Sequence, residues 1–161
     1  MKNLVGKHHL HILPYGLADT SRSARISTQK SNHVNSSLFE NLVPVQEREI
    51  SIIELKATSN FCYQNLLEFE NIVLKIDTQG MDAHILSRFP QRIWDKVGAA
   101  VVEVWATEQI DQTDVINFIS MIKTFSWVNF KPTGRSSISM KDLEEFWLSG
   151  SGESRNLYIS R

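Results

Sequence analysis

The clearest pattern of apolar and polar positions in the chain runs over residues 72–90. Four aliphatic side chains fall within Ile72–Ile76, and they predict a short buried strand, because the run is too short and too rich in β-branched residues for a helix core. Asp77 ends this run, and Gly80 interrupts the pattern before apolar residues return at helical spacing as far as Pro90. The order predicts a strand, a polar turn and a helix.

The same patterns predict elements along most of the chain. Further strands are predicted at residues 9–13, 24–27, 49–55, 99–105, 127–130 and 156–160, helices at residues 61–69, 112–125 and 141–148, a turn at 16–19 and a polar loop at 31–37. Asp111 could cap the helix at 112–125. Strands that alternate with helices favour an α/β domain with a mainly parallel sheet. Parallel strands would place their ends at Asp77 and Trp105 on one edge of that sheet, where ligands bind in such folds.

Composition narrows the class of protein. The 161 residues predict one domain over residues 1–161, with no internal linker or repeat. A net charge of -1 does not indicate binding to nucleic acid or to an anionic membrane, both of which favour a positively charged protein. No apolar run is long enough to span a bilayer. The start of the chain lacks the apolar core of a signal peptide, and Cys62 is the single cysteine. We expect a cytoplasmic protein without disulfides.

Residues 74–86, Leu-Lys-Ile-Asp-Thr-Gln-Gly-Met-Asp-Ala-His-Ile-Leu, resemble the signature of the FkbM family of class I methyltransferases. Three shorter segments agree with the family in order and spacing, at residues 15–19, 101–104 and 156–161. The resemblance covers the chain from about His9 onward. It implies a Rossmann-like, mainly parallel sheet with helices on both faces.

The resemblance also implies an activity, which is methyl transfer from S-adenosylmethionine to a hydroxyl group of a small molecule or sugar. By the same resemblance, Leu17, Ala18 and Asp19 would lie near the adenine of this cofactor, and Asp77 near the reacting methyl group. Gln79 belongs to the same cofactor site and stands where many family members have Glu. An amide keeps hydrogen-bonding capacity but cannot act as a base.

The front of the family domain has no counterpart in this sequence. Class I methyltransferases hold their cofactor on a glycine-rich turn after strand one and an acidic residue after strand two, but the single Gly-x-Gly here, Gly150–Gly152, precedes a predicted strand. The chain reads as if it began at strand three, so the sheet is expected to be incomplete. We therefore expect it to be marginally stable alone, to self-associate, or to need a missing N-terminal half. The alternative is a non-catalytic α/β binding or assembly module that has lost its cofactor site.

Several residues allow both a chemical and a structural interpretation. Asp77 is the candidate catalytic group that orients or deprotonates a hydroxyl, and its alternative role is to cap the following helix. Lys75 and Glu103 interrupt apolar strands, and we favour a structural ion pair for them. Trp105 could stack on a substrate ring, whereas packing is favoured for the other three tryptophans and for Cys62.

The histidines also allow more than one interpretation. His8, His9 and His11 form a His-His-x-His cluster, but it has no cysteine partner, and we predict no metal site. His33 in the polar loop could act as a base, although loop histidines are usually solvated. His84, in the middle of its predicted helix, is expected at the surface or at the boundary between the surface and the core.

Overall fold

The computed structural model describes residues 11–38, 43–107, 109–133 and 136–161, apart from the side chains of residues 32–35. The strands in these ranges are β1 (Gly16–Ala18), β2 (Arg22–Gln29), β3 (Asn32–Ser37), β4 (Arg48–Ala57), β5 (Ile72–Ile76), β6 (Val97–Trp105), β7 (Trp127–Asn129) and β8 (Ser154–Ser160). The helices there are α1 (Thr58–Asn65), α2 (Asp82–Leu86), α3 (Gln91–Trp94), α4 (Gln112–Ile122) and α5 (Met140–Trp147), with one 3-10 turn at Val45–Glu47.

The strands form two small mixed sheets, so the predicted single, mainly parallel Rossmann-like sheet is wrong. The first sheet has the order β1-β4-β2-β3 and the second the order β5-β6-β8-β7. Each contains one parallel pair, β1 with β4 and β5 with β6, while all other neighbours are antiparallel. The later half of the chain therefore keeps the expected parallel pair but builds an antiparallel sheet around it.

A short connection explains one of the antiparallel pairs. Residues 30–31 alone join β2 to β3, and a connection of two residues permits only an antiparallel hairpin. Before β8 the backbone turns through Gly150 and Gly152, whose φ angles of 63° and 76° lie in the left-handed region that glycine adopts without strain. After this turn, β8 runs antiparallel to β6, with Val101 paired to Tyr158.

The main core lies between the helices and one face of the second sheet. Along β6 buried positions alternate, with Ala100, Val102 and Val104 at most 2% exposed. Trp94, fully buried, contacts the rings of Phe89, Phe118 and Phe125 at centroid distances of 5.5–6.1 Å. A larger set of side chains from α2, α3, α4 and α5 completes this cluster.

The opposite face of the second sheet remains partly or fully exposed in the described part of the chain. On this face Val73 is 79% exposed, and Val101, Tyr158 and Trp127 are half-buried. The prediction of helices on both faces is therefore wrong. The residues here explain the difference in part, since Lys75 and Glu103 share this face with the apolar residues.

Most of the elements predicted from strongly patterned segments are confirmed. The strand Ile72–Ile76 has its predicted bounds, but only Ile72 is buried and Val73 is 79% exposed, so its predicted burial is wrong. Helix α4 begins at the predicted cap, where Asp111 accepts a hydrogen bond of 2.7 Å from the Thr113 N–H. The other predicted strands and helices match β2, β4, β6, β7, β8, α1, α2 and α5, with bounds that differ by several residues at some ends.

Three predictions in the first third of the chain do not agree with the structure. The polar loop at 31–37 is wrong because β3 pairs with β2, and the turn at 16–19 is wrong because Gly16–Ala18 lies parallel to β4. Residues 11–13 are not in a strand, and residues 9 and 10 of that prediction lie outside the described residues. For residues 16–18 and 32–37, backbone pairing with another strand decides the conformation.

Candidate active site

The parallel pair β5–β6 brings two carboxylates together. Ile76 pairs with Val102, so Asp77, which directly follows β5, lies beside Glu103, which is near the carboxyl end of β6. The chain then turns through Gln79 and Gly80, whose φ angles are 52° and 103°. A non-glycine residue in this region is uncommon, and such strained positions cluster at functional sites.

The Gln79 side chain joins the two acids. Its Nε2 lies 3.1 Å from Glu103 Oε2 and 3.3 Å from Asp77 Oδ1. Two further donors complete the cluster, because Lys75 Nζ lies 3.0 Å from Asp77 Oδ2 and Trp105 Nε1 lies 2.7 Å from Glu103 Oε2. The predicted Lys75–Glu103 ion pair is replaced by a Lys75–Asp77 pair on the same strand.

The two acids differ in basicity. Burial disfavours the charge of Asp77, but hydrogen bonds from Lys75, Glu103 and Gln79 outweigh it and hold the pKa of Asp77 below its usual value. Burial raises the pKa of Glu103, and the adjacent Asp77 charge raises it further, against the opposing hydrogen bond from Trp105. Glu103 is therefore the member of the pair that takes up a proton first.

A cleft of about 490 Å³ lies beside Asp77, between β1 and β5. Its walls are mostly apolar and aromatic and include Leu17, Phe61, Leu74, Ile85 and Phe89. The rings of Tyr15 and Phe61 meet edge to face with centroids 6.5 Å apart. A cleft of this size, with apolar walls and a few polar groups at one end, suits a small organic ligand.

The predicted cofactor residues do not all line the same cleft. Leu17 and Asp77 line the cleft between β1 and β5. Ala18 is fully buried, and its carbonyl accepts a hydrogen bond of 2.9 Å from Thr58 Oγ1. Gln79 contacts the site only through its bonds to the two acids, and Asp19 lies in a second cleft.

This second cleft, of about 380 Å³, contains a histidine between two aspartates. His84 Nδ1 lies 2.8 Å from Asp114 Oδ2, and His84 Nε2 lies 3.6 Å from Asp19 Oδ1. Arg22 Nη1 binds the same Asp19 oxygen at 2.7 Å, and this hydrogen bond is the main cause that lowers the pKa of Asp19 to about 2. The Asp19 carboxylate is thus charged at all ordinary pH values.

Sequence reasoning missed Glu103 and the His84–Asp114 pair as candidate functional groups. Glu103 carried a signal, since it interrupts an apolar strand at the point where that strand would run beside Asp77. His84 and Asp114 are 30 residues apart, and no pattern in the sequence links them.

The other candidate residues are either buried in the core or lie outside the described residues. Cys62 is buried, and burial raises the pKa of its thiol to about 12, which makes it unreactive. Trp94 and Trp147 are buried in the core. His8, His9 and the His33 side chain lie outside the described residues, within which no group of three acidic, histidine or cysteine side chains is arranged to hold a metal ion.

No family model, curated protein or solved structure matches this chain. Within the described ranges, every helix is too short or too polar to cross a membrane.

Proposed function

We propose that this chain acts as an S-adenosylmethionine-dependent methyltransferase that methylates a hydroxyl group of a small molecule or sugar. The proposal depends on one observation above all, the carboxyl pair Asp77–Glu103, which Gln79 Nε2 joins near the carboxyl ends of two adjacent parallel strands, beside an apolar cleft. Three of the four segments that carry the family resemblance include residues of β5, β6 and β8, which are neighbours in one sheet, while residues 15–19 include β1 of the first sheet. The single buried cysteine agrees with a reducing, cytoplasmic setting.

The cleft beside Asp77 fits the nucleoside part of such a cofactor. Its volume of about 490 Å³ and its aromatic walls suit a flat ring system, and Leu17 and Asp77 are the predicted cofactor residues that line it. When bound, S-adenosylmethionine supplies an electrophilic methyl group. The chain itself must then orient the acceptor hydroxyl and remove its proton.

The carboxyl pair can carry out both tasks. Asp77, charged at neutral pH, accepts a hydrogen bond from the acceptor hydroxyl and fixes its position. The proton that leaves the oxygen is shared by the pair and stays on Glu103, the more basic member. Lys75 and Gln79 hold Asp77 in place, one at each carboxylate oxygen.

The first test is calorimetric titration of the chain with S-adenosylmethionine and S-adenosylhomocysteine. We expect saturable binding that Leu17→Arg abolishes, because the new side chain would fill the cleft. Val45→Arg is the matched control, since Val45 is 71% exposed and lies away from the cleft. Two results would contradict the proposal. One is a folded parent chain that binds neither compound, and the other is a Leu17→Arg variant that binds them as tightly as the parent chain.

Asp77→Asn tests the chemical role separately from binding. The amide keeps the size and most hydrogen bonds of the carboxylate, so we expect cofactor binding within about threefold of the parent chain. Transfer of a labelled methyl group to hydroxyl compounds should fall by about 10²-fold or more, the usual contribution of a positioned base. Asp95→Asn, at another exposed aspartate, serves as the control and should leave transfer unchanged.

A second candidate function is a binding or assembly module, which includes self-association. Two observations favour it. Among the described residues β5 is an edge strand of its sheet, and Val73 on the open face of this sheet is 79% exposed. Light scattering over a concentration series should then show oligomers that Val73→Lys disrupts and Ile52→Lys, at an equally exposed position, does not. A monomer with a cooperative, high-temperature unfolding transition would contradict this candidate.

A further inference from the structure

A third cavity, of about 170 Å³, lies between the first sheet and α2, and we refer to it as the sheet–helix cavity. Ile53 and Leu55 of β4 line it together with Ile26 of β2. Because Ile53 and Leu55 are two residues apart, they lie on the same face of the sheet, whereas Ile52 lies on the other face and is 75% exposed. Ile85 of α2 lines the cavity from the helix side.

The sheet–helix cavity has an apolar lining. Its other described lining residues are Gly16, Leu17, Leu38, Thr78 and Met81, of which Thr78 alone has a polar side chain. An apolar cavity of about 150 Å³ in another protein stays free of water and binds one benzene molecule. Empty space of this kind leaves the atoms around it without contacts, so an apolar ligand that fills it binds favourably. The volume and the lining therefore suit a ring the size of benzene. A sugar ring would leave its hydroxyl groups without hydrogen-bond partners there.

The sheet–helix cavity borders the cleft beside Asp77. The residues that line both spaces are Gly16, Leu17, Thr78 and Ile85. Gly16 leaves room at this border, because a Cβ atom at its position would lie 2.8 Å from Leu55 Cδ2. Thr78 directly follows Asp77 in the chain. A substituent on a ring in the cavity can therefore extend across this border into the cleft that Asp77 lines.

The sheet–helix cavity also borders the second cleft, through Leu38 and Met81, which line both. Leu38 is half-buried, as are Ile26 and Ile53 on the sheet side, so the cavity is open to solvent in part. A ligand can therefore enter it without passing through the cleft beside Asp77. Entry by this route leaves that cleft free for a cofactor.

We propose that the sheet–helix cavity binds a benzene-sized apolar ring, which is part of the methyl acceptor and carries its hydroxyl group toward Asp77. The ring site follows from the cavity alone, whereas its link to methyl transfer rests on the proposed function. In the transfer, the hydroxyl oxygen forms a bond to the methyl carbon, and the bond from this carbon to the sulfonium sulfur breaks, leaving its electron pair on sulfur. The hydroxyl proton passes to the Asp77–Glu103 pair. The acceptor is then a phenol or a similar hydroxylated ring compound rather than a sugar.

The first test is a titration of the chain with phenol, followed by nuclear magnetic resonance of its isotope-labelled isoleucine and leucine methyl groups. We expect saturable shifts of the Ile53 and Leu55 signals, because both side chains line the cavity. The Ile52 signal, from the opposite face of the same strand, should stay unchanged. Methyl glucoside, a sugar with a ring of similar size, should shift none of the three signals.

Filling the cavity tests the site directly. Ile53→Phe adds a ring to the lining, so the dissociation constant for phenol should rise about tenfold or more. Ile52→Phe is the matched control, since it makes the same change at the neighbouring exposed position. Neither residue lines the cleft beside Asp77, so calorimetric binding of S-adenosylhomocysteine should be equal in the parent and both variants. Ile26→Phe fills the same cavity from β2 and replaces Ile53→Phe if that variant folds poorly.

The acceptor is tested by transfer of a labelled methyl group. Transfer to phenol should be about tenfold or more faster than transfer to methyl glucoside, and Ile53→Phe should remove this preference. A preference for the sugar would overturn the assignment of the acceptor. Phenol that shifts none of the cavity signals, or that binds Ile53→Phe and Ile26→Phe as tightly as the parent chain, would overturn the site. A chain that binds phenol in the cavity but does not bind S-adenosylhomocysteine would confirm the ring site and contradict the proposed function, so the two failures are distinguishable.

Discussion

The indole N–H of Trp105 donates a hydrogen bond of 2.7 Å to the carboxylate of Glu103, two residues earlier on the same strand. Both side chains lie on the face of the second sheet that the helices leave open. The indole thereby stabilises a charge that burial disfavours. Trp105, considered from the sequence as a stacking surface, is in the structure a hydrogen-bond donor that sets the basicity of the candidate proton acceptor.

Replacing Trp105 with Phe should raise the pKa of Glu103 further, because this change removes the donor that lowers it. At pH 8 the lost bond should reduce the free energy of unfolding by about 0.5–1 kcal/mol, a small value since the site is partly exposed. Carboxyl carbon shifts followed through a pH titration measure the first effect. Trp127→Phe is the control, and an unchanged Glu103 titration in Trp105→Phe would contradict the assignment.

Changing Gln79 to Glu should destabilise the chain at neutral pH. The change replaces the amide that links Asp77 and Glu103 with a third negative charge, so the fold loses a donor and gains repulsion. We expect a loss of about 0.5–1 kcal/mol at pH 8 that shrinks as the pH falls, because Glu103, whose pKa is raised, then takes up a proton and the repulsion weakens. Urea unfolding at pH 8 and at pH 5 measures it, and a loss that is equal at both would exclude the charge as the cause.

Asp82 should make the fold less stable as the pH rises. It is 1% exposed, and burial raises its pKa from 3.8 to about 6, although Thr78 N–H lies 3.2 Å from Oδ1. The Asp82 carboxyl therefore binds a proton more tightly in the folded state than in the unfolded state. The resulting stabilisation of the fold is fully present below about pH 4 and is lost as the pH rises through about 6. The shift corresponds to on the order of 3 kcal/mol against the charged form.

Asp82→Asn should consequently raise the free energy of unfolding at pH 8 by about 1–2 kcal/mol and have little effect at pH 4. The amide can keep the Thr78 bond while it removes the buried charge. Chemical unfolding at pH 4, 6 and 8 gives the comparison. A variant that is less stable than the parent at pH 8 would mean that the Asp82 charge has a partner outside the described residues.

Trp94→Ala should cost about 3–5 kcal/mol, because the fully buried indole packs against three phenylalanine rings and its loss leaves a cavity. Phe69→Ala, where the ring is 56% exposed, should cost less than about 0.5 kcal/mol. Urea unfolding monitored by circular dichroism measures the free energy of unfolding of both variants. Similar costs for the two variants would contradict the position of Trp94 at the centre of the core.

The candidate site was predictable in part. Asp77 was identified because it ends an apolar strand, which is a property of a few consecutive residues. Its neighbours could not be identified in this way, because Glu103 approaches Asp77 only through the register of β5 on β6, and Gln79 bridges them only with its backbone in the left-handed region. The His84–Asp114 pair depends in the same way on the packing of α2 against α4.

The sequence by itself determined the elements whose signals are local. Continuous apolar runs specified β5 and β6, and the cap at Asp111 specified the start of α4, because burial and capping act within a few residues. Tertiary structure alone decided that the polar residues 32–37 form a strand, that β8 returns antiparallel to β6, and that one face of the second sheet stays open. The physical reason is that strand pairing satisfies backbone groups with partners outside the segment itself, which no pattern within the segment encodes.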